Sequence, residues 1–295
     1  MIIPSQLNVQ SHQAILLRYL QNLDEIKSEL KSILKRVAVH NTVIVSTVNQ
    51  GQSELLANFV CSSRARGFDI GNLLVFPTDA PSRDLAEGLG VATYYAEKLM
   101  AFVPAEESAR YGDSLFGKIM LAKVVCVHLV SELGYDLLFQ DVDLVWLRDP
   151  RPFFRDPRGP AGDFDVYFQV NLFTFCPFNS SRDLLLAPTC MFQDDGNRQE
   201  RFAPYSANSG FYYVRHNRRT QLFFRQMLYA GDLIFSSRSH QQVLIQLMAE
   251  ANSLTGLKVK ILSRDGEGFP SGWHFNMKRD FMTKFIKGET QSYIL

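Results

Sequence analysis

The sequence predicts a single α/β domain built on a mostly parallel mixed sheet flanked by helices. Three observations predict this fold class: short apolar runs alternate with helical segments, the runs are apolar throughout, and several end in polar residues. Strands of a parallel sheet are buried on both faces, which explains why such runs lack alternating polar positions. A chain of 295 residues is long enough for one large domain of this kind.

The first third of the chain sets the pattern. Apolar positions at helical spacing predict one amphipathic helix over residues 12–36. A β-branched run predicts a strand at 42–49, and the following residues predict a helix at 53–66. A second strand is predicted at 72–79 and a second helix around 84–89. Ligands of such sheets bind beyond the carboxyl ends of the strands, where Thr47, Asn49 and Asp79 fall.

The rest of the chain continues the alternation. We predict helices at 114–133, 217–231 and 239–251, strands at 135–147, 163–170 and 259–262, a loop at 149–162, and a turn at 208–210 that leads into another strand. No internal repeat or low-complexity linker interrupts the pattern. We therefore expect an N-terminal helical segment (1–38) followed by one domain (39–295).

Composition narrows the function classes. The net charge of +1 argues against nucleic-acid binding through bulk electrostatics and leaves small anionic ligands open. No apolar run reaches membrane-spanning length and no signal peptide is evident, so we expect a soluble chain. The four cysteines contain no CxxC pair, which indicates neither a zinc site nor a disulfide framework. A Cys176–Cys190 bridge and free thiols both stay open.

The segment FQDVDLVWLRDP contains the strongest candidate site. If the strand continues through it, Asp141 and Asp143 point to the same face, and two carboxylates there need a counter-charge. An isolated D-x-D is more often a solvated turn or a helix cap. Here apolar residues flank the pair on both sides, which makes unpartnered charges costly. Oxygen ligation at a partly open site suits Mg²⁺ or Mn²⁺, with a nucleotide diphosphate completing the site.

The segment GYDLLFQDVDLVWLRDP resembles the metal-binding segment of nucleotide-sugar glycosyltransferases with the A-type, Rossmann-like fold, most closely glycosyltransferase family 77. Three further segments, STVNQGQSELLANFVCSSRARGFDIGNLLVFPTD, SANSGFYYVR and SHQQVLIQL, resemble family motifs in the same order. The resemblance covers about residues 40–280. It implies a retaining transferase that uses Mn²⁺ or Mg²⁺ to move galactose, xylose or arabinose from a UDP-sugar to a glycan or glycoprotein. The chain would then be cytoplasmic or the lumenal part of a Golgi enzyme without its anchor.

The resemblance also implies roles for individual residues. The metal ligands would be Asp141, Asp143 and His274; the nucleotide and donor contacts would be Thr47, Val48, Asn49, Asp79, Lys123, Asp141, Ser209, Gly210 and Lys278; the catalytic residues would be Asn208, Gln241 and Gln242. Each also has an ordinary structural interpretation, as a strand-end turn residue, a core histidine or a lysine that reaches solvent.

The sequence departs from the family pattern at Gln241, where the resemblance leads us to expect aspartate. An amide can position a donor sugar, but it cannot stabilise positive charge as a carboxylate does. No covalent nucleophile stands out, so we expect front-face substitution. Two alternatives stay open: a nucleotidyltransferase or phosphotransferase that uses the same carboxylates, and a protein that binds a nucleotide-sugar without turnover. Aromatic residues could stack on a glycan or form core: Phe153, Phe154, Phe173, Phe175 and Phe178.

Overall fold

The computed structural model describes residues 3–103, 114–156, 158–159, 161–170, 205, 207–262, 267–271, 274–275 and 278–295. Its centre is a seven-stranded sheet of order β3-β2-β1-β4-β6-β5-β7. The strands are β1 (Thr42–Val48), β2 (Leu73–Pro77), β3 (Ala92–Thr93), β4 (Asp136–Gln140), β5 (Val166–Val170), β6 (Ala207–Val214) and β7 (Val259–Leu262). β6 runs antiparallel to its neighbours β4 and β5, and the other neighbouring pairs are parallel. The predicted mixed, mostly parallel sheet is confirmed.

Helices cover both faces of the sheet. They are α1 (Gln6–Gln21), α2 (Leu23–Val37), α3 (Ser53–Ala65), α4 (Ala80–Gly88), α5 (Glu97–Met100), α6 (Ser114–Glu132), α7 (Arg151–Arg155), α8 (Arg218–Tyr229), α9 (Gly231–Ser237), α10 (His240–Thr255) and α11 (Arg279–Ile286). One core layer joins alternate sheet residues to α2, α6, α8 and α10. The other layer joins the opposite sheet face to α3, α4 and α7. The result is a three-layer α/β/α arrangement.

The structure corrects several predicted boundaries. The helix predicted at 12–36 is two helices that break at Asn22, whose side-chain amide donates to the Arg18 carbonyl at 2.7 Å. Such local side-chain bonds compete with the helix. The helix predicted at 217–231 likewise ends at Tyr229, and α9 begins at Gly231.

The segment 149–162, predicted as a loop, contains the helix α7. Asp149 accepts a hydrogen bond from the Arg151 backbone N–H at 2.9 Å just before this helix, and Pro152 occupies its first turn. α7 buries Phe153 and Phe154 against the sheet, so these two aromatic residues belong to the core. Phe173, Phe175, Phe178, Cys176 and Cys190 lie outside the described residues.

The N-terminal helices pack on the same core as the sheet. α2 buries its apolar face there, and α1 lies against α9, where His12 packs on Gly231.

A Cβ placed on Gly231 would lie 2.3 Å from the His12 ring. We therefore expect Gly231→Ala to lower the free energy of unfolding by about 1–3 kcal/mol, because the packed interior resists extra volume. Urea denaturation measures this change. Gly88→Ala, whose Cβ meets nothing within 4 Å, is the matched control and should not destabilise.

Asp165 ties the start of β5 to two other elements. Its carboxylate accepts from Arg219 Nε and Nη2, both at 2.7 Å, and from the Lys258 backbone N–H at 2.9 Å. Burial by itself would raise the pKa of Asp165, but these donors outweigh burial and hold the pKa below its ordinary value. The ionised form therefore stabilises the fold above the unfolded-state pKa, and this stability is lost as pH falls through the folded-state pKa.

We expect Asp165→Asn to lower the free energy of unfolding at pH 7 and to matter much less near pH 3. Urea denaturation of both proteins across this pH range measures the effect. A difference between the two proteins that stays constant with pH would contradict the ionic origin of the stabilisation.

Candidate active site

The candidate site lies at the edge where β1, β2 and β4 have their carboxyl ends. Because β6 is antiparallel to β4, it begins at this edge and brings Asn208, Ser209 and Gly210 beside the end of β4. The Asp141 backbone N–H donates to the Gly210 carbonyl at 2.8 Å. The predicted turn at 208–210 is therefore wrong, since these residues form the first part of β6. Their strand position brings Gly210 into contact with Asp141 of the DVD motif (residues 141–143).

Asp141 has a buried counter-charge. Lys123 Nζ donates to Asp141 Oδ1 at 2.6 Å, and the Lys123 side chain is only 8% exposed. Lys123 projects from the apolar helix α6, so the lysine predicted to face the donor does reach this edge. Burial raises the pKa of Asp141, the Lys123 ammonium lowers it, Asp143 raises it, and the net shift is upward. The ion pair thus holds a carboxylate where burial alone would favour protonation.

Asp143 has a different environment. β4 ends at Gln140 and the chain turns, so Val142 is buried while Asp143 is exposed. The predicted strand through 147 is therefore too long, and the two carboxylates do not share one face of a strand. Asp143 has no hydrogen-bond or ion-pair partner among the described residues, which leaves its carboxylate available to a cation from solvent.

Two side-chain amides near Asp141 have fixed orientations. Gln241 Oε1 accepts from the Ser209 backbone N–H at 3.0 Å, and Asn208 Oδ1 accepts from the Gly210 N–H at 2.7 Å. A backbone N–H can only donate, so the oxygen of each side-chain amide, and not its nitrogen, faces the backbone. Each residue therefore offers its NH₂ group, a hydrogen-bond donor, to a ligand at this edge.

Gly210 has a packing reason to be glycine. A Cβ there would lie 3.0 Å from Asp141 Oδ2 and 3.1 Å from Asn208 Oδ1.

Gln242, the neighbour of Gln241, is exposed. Of the three predicted catalytic residues, the structure therefore links Asn208 and Gln241 to the Asp141 environment through β6.

Sequence reasoning gave His240 no role, although the residue lies in the SHQQVLIQL motif. His240 is buried, and Nδ1 lies 2.8 Å from Met120 Sδ on α6. Burial, together with the Lys123 ammonium, lowers the pKa of His240 to about 3. The imidazole is therefore neutral at physiological pH and lies in the protein interior without adding charge. Its helical spacing with the apolar residues Val243 and Leu244, three and four positions later, is the signal that could have indicated this core position.

The predicted nucleoside contacts line the neighbouring strand ends. Thr47, Val48 and Asn49 are buried at the end of β1, and the Thr47 hydroxyl has no hydrogen-bond partner within the described chain. Asp79 Oδ1 accepts from the Ser82 N–H at 2.9 Å and Oδ2 from the Gln50 N–H at 2.8 Å. Asp79 thus caps α4 and fixes the turn after β1, a structural task that occupies both carboxylate oxygens.

His274 and Lys278 follow a segment that Gln169 holds near the end of β5, through a hydrogen bond from Nε2 to the Pro270 carbonyl. His274 is fully buried, and its Nδ1 accepts from the Ser271 backbone N–H at 3.1 Å. A neutral ring that accepts at Nδ1 carries its proton on Nε2. Lys278 is half-buried immediately before α11. Within the described ranges, no three His, Cys, Asp or Glu side chains cluster closely enough to hold a metal ion.

Comparison with known proteins identifies the family. The family model for nucleotide-diphospho-sugar transferases matches residues 69–279, more than half of the chain. The chain belongs to the nucleotide-diphospho-sugar transferase family. This assignment agrees with the predicted family 77-like resemblance and A-type fold. Both the DVD motif and the SHQQVLIQL motif lie within the matched residues of this transferase chain.

Relatives of this family member include plant glycosyltransferases. The β-arabinofuranosyltransferase RAY1 of Arabidopsis thaliana is 27% identical over 198 residues, covering 65% of this chain and 30% of the relative. An Arabidopsis UDP-D-xylose:L-fucose α-1,3-D-xylosyltransferase is 38% identical over 158 residues, covering 52% of this chain and 40% of the relative. The chain thus spans less than half the length of these relatives.

Among solved structures, apo mouse xyloside xylosyltransferase 1 aligns with a TM-score of 0.46 at 16% identity, covering 86% of this chain and 96% of that one. No helix in the described ranges is both long and apolar enough to cross a membrane.

Proposed function

We propose that this transferase chain moves a pentose or hexose from a UDP-sugar to a glycan or glycoprotein acceptor, with retention of configuration and with Mn²⁺ or Mg²⁺ bound at Asp141 and Asp143. The observation that carries the proposal is the pairing of buried Lys123 with Asp141 beside Asp143, which is exposed and has no ion-pair partner within the described ranges. Charged groups at this edge of an α/β sheet suit the diphosphate of a nucleotide-sugar. The named activities of the relatives support the transfer of arabinose or xylose.

The residues present fit a hard divalent cation. Asp141 Oδ2 is not used by Lys123, and the Asp143 carboxylate is exposed, so two carboxylate ligands are available. Substrate oxygens and water commonly complete such a site. His274 fits less well in the arrangement described, because an Nε2 that carries the ring proton offers no lone pair. When bound, the cation neutralises charge on the departing diphosphate.

In the proposed reaction the acceptor hydroxyl oxygen bonds to the anomeric carbon on the face that the diphosphate leaves. The bond from that carbon to the diphosphate oxygen breaks, its electron pair goes to the diphosphate, and the hydroxyl proton passes to a diphosphate oxygen. The NH₂ groups of Asn208 and Gln241 orient the donor sugar by donating to its hydroxyl oxygens. Lys123 supports the site by holding Asp141 ionised and in place.

The test is to incubate the protein with Mn²⁺, an L-fucoside acceptor and, in turn, UDP-xylose, UDP-arabinofuranose and UDP-galactose. We expect UDP release with one of these donors and a glycoside product whose anomeric configuration, read by NMR, matches the donor. An inverted product would contradict the retaining mechanism. In a parallel incubation with a nucleoside triphosphate and a sugar phosphate, release of pyrophosphate would instead indicate a nucleotidyltransferase.

A second candidate function, binding of a nucleotide-sugar without turnover, is favoured by Gln241 in place of a carboxylate. Its expected result is Mn²⁺-dependent UDP binding without sugar release under any acceptor condition. In that case Gln241→Asp should restore slow hydrolysis of the donor, since a carboxylate can stabilise positive charge at the anomeric carbon.

A further inference from the structure

Two segments that adjoin predicted donor-site residues are joined by a third segment. Residues 145–148 follow the DVD motif, and residues 267–271 precede His274. Residues 291–295, which we call the strap, hydrogen-bond to both segments. The strap lies outside the segment matched by the family model, residues 69–279.

The strap pairs with the segment after the DVD motif as an antiparallel bridge. Val145 N–H donates to the Leu295 carbonyl at 2.8 Å, and Leu295 N–H donates back to the Val145 carbonyl at 2.9 Å. Leu147 N–H donates to the Tyr293 carbonyl at 2.8 Å. Residues 145–147 lie beyond the end of β4, and these bonds pair backbone groups that would otherwise have no strand partner.

The same strap residues hold the segment before His274. Tyr293 N–H donates to the Gly268 carbonyl at 2.9 Å, and the Tyr293 ring stacks on Phe269 with centroids 4.8 Å apart. The Arg148 guanidinium lies 4.1 Å from the centroid of the same tyrosine ring and donates to Gln291 Oε1 at 2.9 Å. Tyr293 therefore contacts both segments.

Buried contacts anchor this assembly to the sheet. Trp146 is bridged to Ile294, both side chains are fully buried, and Trp146 Nε1 donates to Gln140 Oε1 at 2.6 Å. Gln140 is the last residue of β4, directly before Asp141. Displacing the strap would thus loosen the turn that sets the position of Asp143.

We propose that the strap is a positioning element for the donor site: it fixes the DVD turn relative to the segment that carries His274 and Lys278, and Tyr293 is its central positioning residue. The inference rests on the proposed function. Strap atoms hydrogen-bond to both segments rather than to a ligand, so the strap acts on donor binding through the residues it holds in place.

Two glycines provide a matched pair of test variants. Gly268 has φ +77° and Gly288 has φ +74°, so alanine strains the backbone equally at both. A Cβ on Gly268 would lie 3.1 Å from Arg148 Nη2 and 3.3 Å from the Tyr293 ring, whereas a Cβ on Gly288 meets nothing within 4 Å. Only Gly268→Ala therefore presses on the strap.

The experiment measures Mn²⁺-dependent UDP affinity by calorimetry and hydrogen exchange of peptides covering 141–148 and 267–271. We expect Tyr293→Ala and Gly268→Ala to weaken UDP binding about 10-fold relative to Gly288→Ala, as loss of supporting contacts to metal ligands typically does. In Tyr293→Ala and Gly268→Ala, both peptides should exchange faster than they do in Gly288→Ala. Unchanged UDP affinity in a variant whose 141–148 peptide exchanges faster would overturn the proposal.

If the unmodified protein binds no UDP, the proposed function fails separately, and hydrogen exchange still decides the strap. Faster exchange of both peptides in Tyr293→Ala, absent in Gly288→Ala, supports a strap that couples the two segments. Unchanged exchange in either peptide overturns it.

Discussion

Replacing Asp143 with alanine should abolish Mn²⁺-dependent UDP binding, with a loss of affinity of at least about 100-fold, because it removes a candidate metal ligand outright. Asp143 is exposed and has no partner among the described residues, so the substitution breaks no structural contact. The free energy of unfolding should therefore stay unchanged. Calorimetric titration of UDP, with and without Mn²⁺, measures the binding.

The control for this prediction is Glu250→Ala, which removes an exposed carboxylate from α10. It should leave UDP binding as it is in the unmodified protein. Tight UDP binding that is indifferent both to Mn²⁺ and to the loss of Asp143 would mean that the carboxylate pair is structural. The metal-dependent mechanism would then be wrong.

Replacing Lys123 with methionine should reduce the rate of sugar transfer about 10²–10³-fold, the range seen when one preorganised charge-stabilising group is removed. Methionine keeps much of the buried volume of the side chain but removes the ammonium that pairs with Asp141 at 2.6 Å. Because that ammonium lowers the pKa of Asp141, its loss raises the pKa further. The remaining activity should therefore require a higher pH.

The measurement is the rate of UDP release as a function of pH, with saturating donor and Mn²⁺. Lys31→Met, which removes an exposed charge from α2, is the control and should behave as the unmodified protein. If Lys123→Met transfers sugar at the control rate with the same pH profile, Lys123 is only a structural counter-ion. The role assigned to its charge in transfer would then be rejected.

The sequence by itself determined the elements whose residues are buried on both sides. Apolar runs predict β1 and β2 within about two residues, because a strand inside a parallel sheet is covered by apolar residues on both faces. The long apolar helix at 114–133 corresponds to α6 for the same reason. The local sequence pattern did not predict helix boundaries that a single polar contact sets, such as the break at Asn22 between α1 and α2.

Only the tertiary structure decided how the candidate residues meet. The antiparallel direction of β6 places Asn208 and Gly210 against Asp141, and no local pattern encodes strand direction. Likewise the partner of Asp141 is Lys123, eighteen residues earlier on the mostly apolar helix α6. The strap contacts residues more than a hundred positions away through backbone groups. Backbone hydrogen bonds leave no side-chain pattern, so the sequence predicted Asp141, Asp143 and Lys123 as site residues but not the strap that hydrogen-bonds to the segment after them.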